Sequence, residues 1–183
     1  MNRADRKTYR IVFLGMMSAV VFLTTMIRIP FLESYIHPAN AFILAAGLLL
    51  GAAGGGIAGG LGSFLYDLLF YSEYGIFSAV MTFVTKGAMG LVCGAAFGAV
   101  KEERRTPLRV VLSGVFGAVA YLILYWGRKF LEGHFISGLP WEGAWTRTVL
   151  AMPASAINAV FACILSPVLY YALKATGITK KLK

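Results

Sequence analysis

The sequence predicts an all-α integral membrane protein, a bundle of six transmembrane helices with N and C termini cytoplasmic. Three observations predict it. Of 183 residues, 58% are hydrophobic and only 14% charged, against about 25% charged in a typical soluble domain; mean hydropathy is +0.74. The apolar residues fall into runs close to the roughly 20 residues a membrane helix needs. The basic residues are distributed unevenly between alternate connectors, as in proteins oriented by positive charge. Six spans use up residues 1–183, so a single membrane domain is expected.

The elements follow in order. Span one covers about Tyr9 to Ile27. Its basic start, Arg3, Arg6, Lys7 and Arg10, resembles a signal peptide, but the run ends at Met26-Ile27-Arg28-Ile29-Pro30 without a small-residue cleavage site. A retained first helix is expected. Arg28, Pro30 and Pro38 punctuate the next connector, and span two covers about Ala39 to Ala53. Glycines from Gly51 to Gly56 turn the chain into a short span three, about Ile57 to Tyr71. Span four covers about Ile76 to Val100 and span five about Leu108 to Phe130, separated by the aqueous loop Lys101–Pro107. Span six covers about Trp145 to Leu173, with Pro153 and Pro167 as sites of kinking that a membrane helix tolerates.

Six spans place both termini and the 2–3 and 4–5 connectors on one side. That side carries twelve of the 17 Lys and Arg; the other carries Arg28, Arg128, Lys129 and Arg147, and Lys86 lies between. Positive charge stays inside, so the termini are expected in the cytoplasm and the protein in a bacterial plasma membrane as a multi-pass chain. The net charge of +9 does not indicate nucleic acid. The basic residues sit at termini and one connector, without an aromatic-interleaved face.

Several motifs resolve as packing. Gly54 to Gly59 fits G-x-G-x-x-G, yet lacks the preceding strand and downstream acid of a dinucleotide site. Gly47, Gly51, Gly55 and Gly59, and again Gly90, Gly94 and Gly98, recur every four residues, a spacing that lets membrane helices approach closely. Gly15 and Ala19 form a further small-xxx-small pair, serving packing within the bundle or docking on another subunit. Cys93 and Cys163 are read as small packing residues, and no Cys/His cluster suggests a metal. No phosphate-binding loop, nucleophile elbow or H-E-x-x-H is present. No catalytic residue and no enzyme is expected.

Lys86 is the residue that asks for an explanation. It lies about ten residues into span four, roughly 15 Å deep, where a lysine costs roughly 2.5–3.5 kcal/mol on insertion scales. It is expected to face the bundle interior and to meet Asp67, Glu73 or a ligand. Asn158 lies mid-span in helix six, and Tyr121, Tyr125 and Trp126 line the outer half of helix five. Tyr74 and Trp141 occupy outer loops, and Asn40, just after His37-Pro38, caps span two or joins a pocket rim. Each aromatic alone fits an interfacial belt. Together these groups suit one small planar polar solute, stacked on aromatics and oriented by a few polar groups.

The segment from His37 to Gly94 carries a family resemblance. A glycine-punctuated hairpin closes on Asp67-Leu68-Leu69, and the following helix bears Lys86-Gly87. With six short helices and a small-xxx-small first helix, the chain resembles the substrate-binding S-components of energy-coupling-factor (ECF) vitamin transporters. Helices five and six match only in length and placement. The resemblance implies an ECF-type importer subunit that binds one vitamin or precursor from outside, docks on a transmembrane coupling subunit and topples to deliver it. ATP is used by two cytosolic ATPases, and the chain needs no cofactor of its own. The docking motif maps onto Gly15 and Ala19, and the ligand pocket onto Lys86, Tyr125, Asn158 and the loops around Tyr74 and Trp141.

The expected solute is a small heteroaromatic, pyridoxine or hydroxymethylpyrimidine first, riboflavin or thiamine next. The substrate-binding set is Asn40, Asp67, Tyr74, Lys86, Tyr125, Trp126, Trp141 and Asn158. Two other readings stay open: a self-sufficient ion-coupled carrier using Lys86 and Asp67 as a relay, and a small membrane enzyme of lipid metabolism.

Overall fold

In a computed structural model that describes residues 3–70, 75–99 and 106–182, apolar runs become long helices as expected. Helix α1 covers Arg3–Met26, α2 Ala39–Phe70, α3 Gly75–Gly98, α4 Pro107–Leu131 and α5 Trp141–Ala175. A π-helical turn, Glu132–Ile136, extends α4, and a short α6, Ile178–Leu182, ends the described chain. These five long helices are each long and apolar enough to cross a membrane. Their outward faces carry exposed apolar side chains, for example Ile11, Val160 and Ile164, as expected of surfaces solvated by lipid.

Helix α2 is not one rod. Gly51 has φ 78° and ψ −174°, backbone that side chains with a β-carbon rarely adopt. The chain reverses there. A β-carbon on Gly55 would lie 2.4 Å from the Cα of Gly47, and one on Gly59 2.6 Å from Cγ2 of Ile43. In a straight helix the first pair would stand about 12 Å apart. Residues 39–50 and 52–70 are therefore two antiparallel arms, so the long helices amount to six rods.

Helix α3 packs into the notch between these arms. A β-carbon on Gly90 would fall 2.2 Å from the carbonyl oxygen of Gly55. Backbone-to-backbone contact of this kind is what the glycine spacing foretold, with two exceptions. Gly51 serves the turn, and Gly98 faces open space. The first arm of α2 forms the axis of the bundle, with Ala41, Ile43, Leu44, Ala45 and Ala46 fully buried.

Helix ends are fixed locally. Thr106 caps α4 by accepting from the Arg109 amide, with Pro107 in the first turn. The Arg109 guanidinium also donates to the Ala96 carbonyl at 2.6 Å, tying α4 to the end of α3. Leu182 of α6 is buried against Phe13 and Tyr9 of α1, so the two described chain ends lie at the same end of the bundle.

Three expectations change. The connector after α1 is not irregular: strands β1 (Ile29–Phe31) and β2 (Ser34–Ile36) pair antiparallel, Ile29 with Ile36. The fold is thus helical with one β-hairpin, because the turn at Leu32, φ 51°, lets the chain double back over the bundle end. Helix α5 starts at Trp141 rather than Trp145 and runs through Pro153 and Pro167 without a break. Helix α1 starts well before Tyr9, its basic first turns already helical.

Candidate functional site

At the bundle end opposite the described termini, five elements converge on a cavity of about 80 Å³. Helix α1 supplies Thr25, with Arg28 just beyond it; the hairpin supplies Ser34 and Tyr35, followed by His37. The second arm of α2 supplies Ser63 and Asp67, α3 supplies Thr82 and Lys86, and α4 supplies Tyr121, Tyr125, Arg128 and Lys129. Glu33 closes the mouth. A ligand site normally spans roughly 300–1,000 Å³, so this cavity is contracted.

Lys86 is 7% exposed. Its ammonium donates to Asn40 Oδ1 and stands 4.3 Å from the ring centroid of Tyr121, a cation–π placement. No carboxylate pairs with it among the described residues. Asp67 accepts from the Thr82 hydroxyl, which in turn accepts from Arg128. The rest of the Arg128 guanidinium donates to Ser78 Oγ at 2.6 Å and to Glu132 Oε1 at 2.6 Å. Arg28 stacks over Tyr35 at 3.7 Å and donates to the Tyr66 hydroxyl at 3.1 Å.

The hairpin forms the roof. Asn158 of α5 clamps it, accepting from the His37 amide at 2.9 Å and donating to the Tyr35 carbonyl at 2.8 Å. Ser34 and the Tyr125 hydroxyl are bonded at 2.7 Å, and Glu33 meets Arg147 at 3.6 Å. Ser63 Oγ and His37 Nδ1, both in residues of the lining, have no hydrogen-bond partner among the described residues. Burial holds the His37 imidazole well below its ordinary value of 6.5, helped by the positive charges of Lys86 and Arg28.

A roofed, polar, aromatic-lined cavity inside an apolar helix bundle is the architecture of a membrane solute binder. The sequence profile of the family described as "ECF-type riboflavin transporter, S component" matches residues 5–175. The chain belongs to this family. A curated protein of Pyrococcus woesei, described as "Uncharacterized protein in gap 3'region", is 32% identical over 106 residues, 57% of this chain and 69% of its own length. This S-component is accordingly a multi-pass membrane protein of ECF-type transport, a class that works with a membrane coupling subunit and ATPases.

The S-component brings some sequence-named residues together and separates others. Asp67, Lys86 and Tyr125 line the cavity. Asn40 lies in the first turn of α2, and its carbonyl oxygen goes to Lys86 rather than to a backbone amide, so it positions the ammonium instead of capping the helix. Asn158 does not line the cavity, because both ends of its amide are taken by the hairpin backbone. Trp126 donates to Ser155 at 2.8 Å, joining α4 to α5 away from the cavity. Trp141 is 67% exposed and packs edge-on to Phe130 at 4.6 Å, in the manner of an interfacial aromatic. Tyr74 and Glu73 lie outside the described residues.

The sequence reading missed Arg28, His37, Ser63, Arg128 and Lys129. A signal for three of them was available: Arg28, Arg128 and Lys129 break the inward bias of positive charge. Basic residues kept on the outward side against that bias are candidates for a site.

Proposed function

We propose that this chain is the high-affinity solute-binding subunit of an ECF-type ABC importer in the cell membrane, taking up a small heteroaromatic vitamin or precursor. Both termini lie in the cytoplasm, each arm of α2 crosses the bilayer as one of six spans, and the cavity opens outward. The observation carrying this reading is the cavity itself. Three tyrosine rings and a buried ammonium line one roofed cavity in the membrane half away from the basic termini.

The family description names riboflavin, which moves a flavin ahead of pyridoxine and hydroxymethylpyrimidine. Thiamine, itself a cation, is disfavoured by four basic against two acidic side chains in the lining. Filling requires the hairpin to lift, since the cavity is below the about 150 Å³ that holds one benzene.

Docking on the coupling subunit uses the outward face of α1. Gly15 has open space around it and Ala19 is exposed, so neither serves packing inside this bundle. After docking, the S-component topples, and hydrolysis of ATP by the two partner ATPases resets it. The importer reading is preferred to the ion relay because Lys86 donates to Asn40 and Asp67 accepts from Thr82, with no salt bridge between the two among the described residues.

Proteoliposomes decide between these readings. Uptake of a flavin, offered as riboflavin or as flavin mononucleotide, is expected only when the coupling subunit and both ATPases are co-reconstituted with ATP. Sustained uptake by this chain alone, driven by an ion gradient, would refute the importer-subunit reading.

A further inference from the structure

Taking the importer-subunit reading as its basis, we infer that the solute carries an anionic group, a carboxylate or a phosphate, and that Lys86 is its counter-ion.

A buried ammonium needs a compensating negative charge or full hydrogen bonding. Lys86 has neither. It has three N–H donors, one neutral amide oxygen as acceptor and one aromatic face. At least one donor is left for the cavity that Lys86 lines.

The nearby carboxylates are committed elsewhere. Asp67 accepts from Thr82, Glu132 holds Arg128 and Glu33 meets Arg147 across the mouth. None of the three pairs with Lys86.

A second observation is independent of charge. Ser63 Oγ, in a residue 1% exposed, lines the same cavity and has no hydrogen-bond partner among the described residues. It sits one helical turn beyond Gly59, whose missing β-carbon would lie 3.0 Å from the Lys86 carbonyl. A hydroxyl donor and an ammonium donor thus line one chamber from adjacent helices, as two-point recognition of an oxyanion requires. The field there is positive: Lys86 and Arg28 are among the causes that hold His37 neutral. Asn40 fixes the ammonium from behind, so it acts as a positioning residue.

The test uses the full chain in lipid nanodiscs and three matched pairs of probes. These are flavin mononucleotide against riboflavin, pyridoxal 5′-phosphate against pyridoxine, and nicotinate against nicotinamide. Calorimetry is expected to show the anionic member of at least one pair bound at least tenfold more tightly than its neutral mate. The phosphate pairs and the carboxylate pair separate the two anion chemistries. Lys86→Met is expected to bring that ratio close to one, and Lys86→Arg, which keeps the charge, to preserve a preference. Size-exclusion profiles confirm that each variant is folded, and Ser63→Ala supplies a second, milder variant expected to lower the ratio severalfold.

Neutral probes bound as well as or better than their anionic mates in every pair that binds overturn the anion and leave the vitamin-binding reading standing. A preference that survives Lys86→Met overturns the role of the lysine. Failure of all six probes to bind overturns both readings together.

Discussion

Ser34 on the hairpin and Tyr125 on α4 share a hydrogen bond of 2.7 Å, and that contact ties the roof of the cavity to its wall. Asn158 adds two more bonds from α5 to the backbone at Tyr35 and His37. The contributions differ in kind. Tyr125→Phe removes one hydrogen bond near the open mouth, worth about 0.5–1.5 kcal/mol. Asn158→Ala strips two bonds at a residue 1% exposed and leaves a backbone amide and carbonyl unsatisfied, at about 1–3 kcal/mol each. Hydrogen exchange is therefore expected to speed up in residues 29–37, about 2- to 10-fold in Tyr125→Phe and more in Asn158→Ala. Equal protection in Asn158→Ala and the parent would mean that the clamp does not hold the roof.

Glycine positions at the same sequence spacing carry opposite expectations. A β-carbon on Gly90 would meet the Gly55 carbonyl oxygen at 2.2 Å, whereas one on Gly98 meets nothing within 4 Å. Gly90→Ala must push two helix backbones apart and is expected to cost at least about 1–3 kcal/mol, the range for overpacking. Gly98→Ala is expected to be neutral or to stabilise by up to about 1 kcal/mol through helix propensity. Thermal unfolding of the two variants in detergent measures the difference, and a Gly90→Ala protein as stable as Gly98→Ala would contradict the seam.

The contrast also shows what the sequence could carry. Helix positions were legible because apolar run length is set by bilayer thickness, and α3 and α4 fall within two residues of the expected spans. The turn in α2 was legible from glycine density. The β-hairpin was not, since three-residue strands leave no usable period-2 signal. That Lys86 and Asp67 line one cavity was legible because burial of charge in an apolar run is visible in one dimension. Their separation was not visible, because the partners that part them, Asn40 and Thr82, come from sequence distances of 46 and 15 residues. Asn158 looked like a ligand donor for the same reason it is a clamp: a mid-span amide must bond to something, and the sequence does not say what.

Gly15 offers a separation of folding from assembly. With open space around it on an exposed stripe of α1 that includes Ile11, Met16 and Leu23, a larger side chain meets no neighbour within this chain. Gly15→Leu is expected to leave the melting temperature at the parent's value or up to about 4 °C above it, since the side chain meets no neighbour and leucine has the higher helix propensity. If the face docks a partner through close helix approach, the same variant loses co-purification with the coupling subunit. A stable Gly15→Leu protein that still assembles would move the docking surface off this helix face.

His37 gives the fold a pH dependence with a defined sign. Its imidazole is kept neutral, by burial first and then by the repulsion of Lys86 and Arg28, so its folded value lies well below the ordinary 6.5. Above about pH 6.5 both folded and unfolded chains hold it neutral, and the stability is fully present. As pH falls below 6.5 the unfolded chain takes up a proton that the folded chain refuses, so stability declines until the depressed folded value is reached. Melting temperature is expected to drop between pH 7 and pH 5 in the parent. The drop should shrink in His37→Gln, which keeps the backbone amide that Asn158 accepts from but cannot titrate. An identical decline in both proteins would show that the acid sensitivity does not come from the histidine under the hairpin.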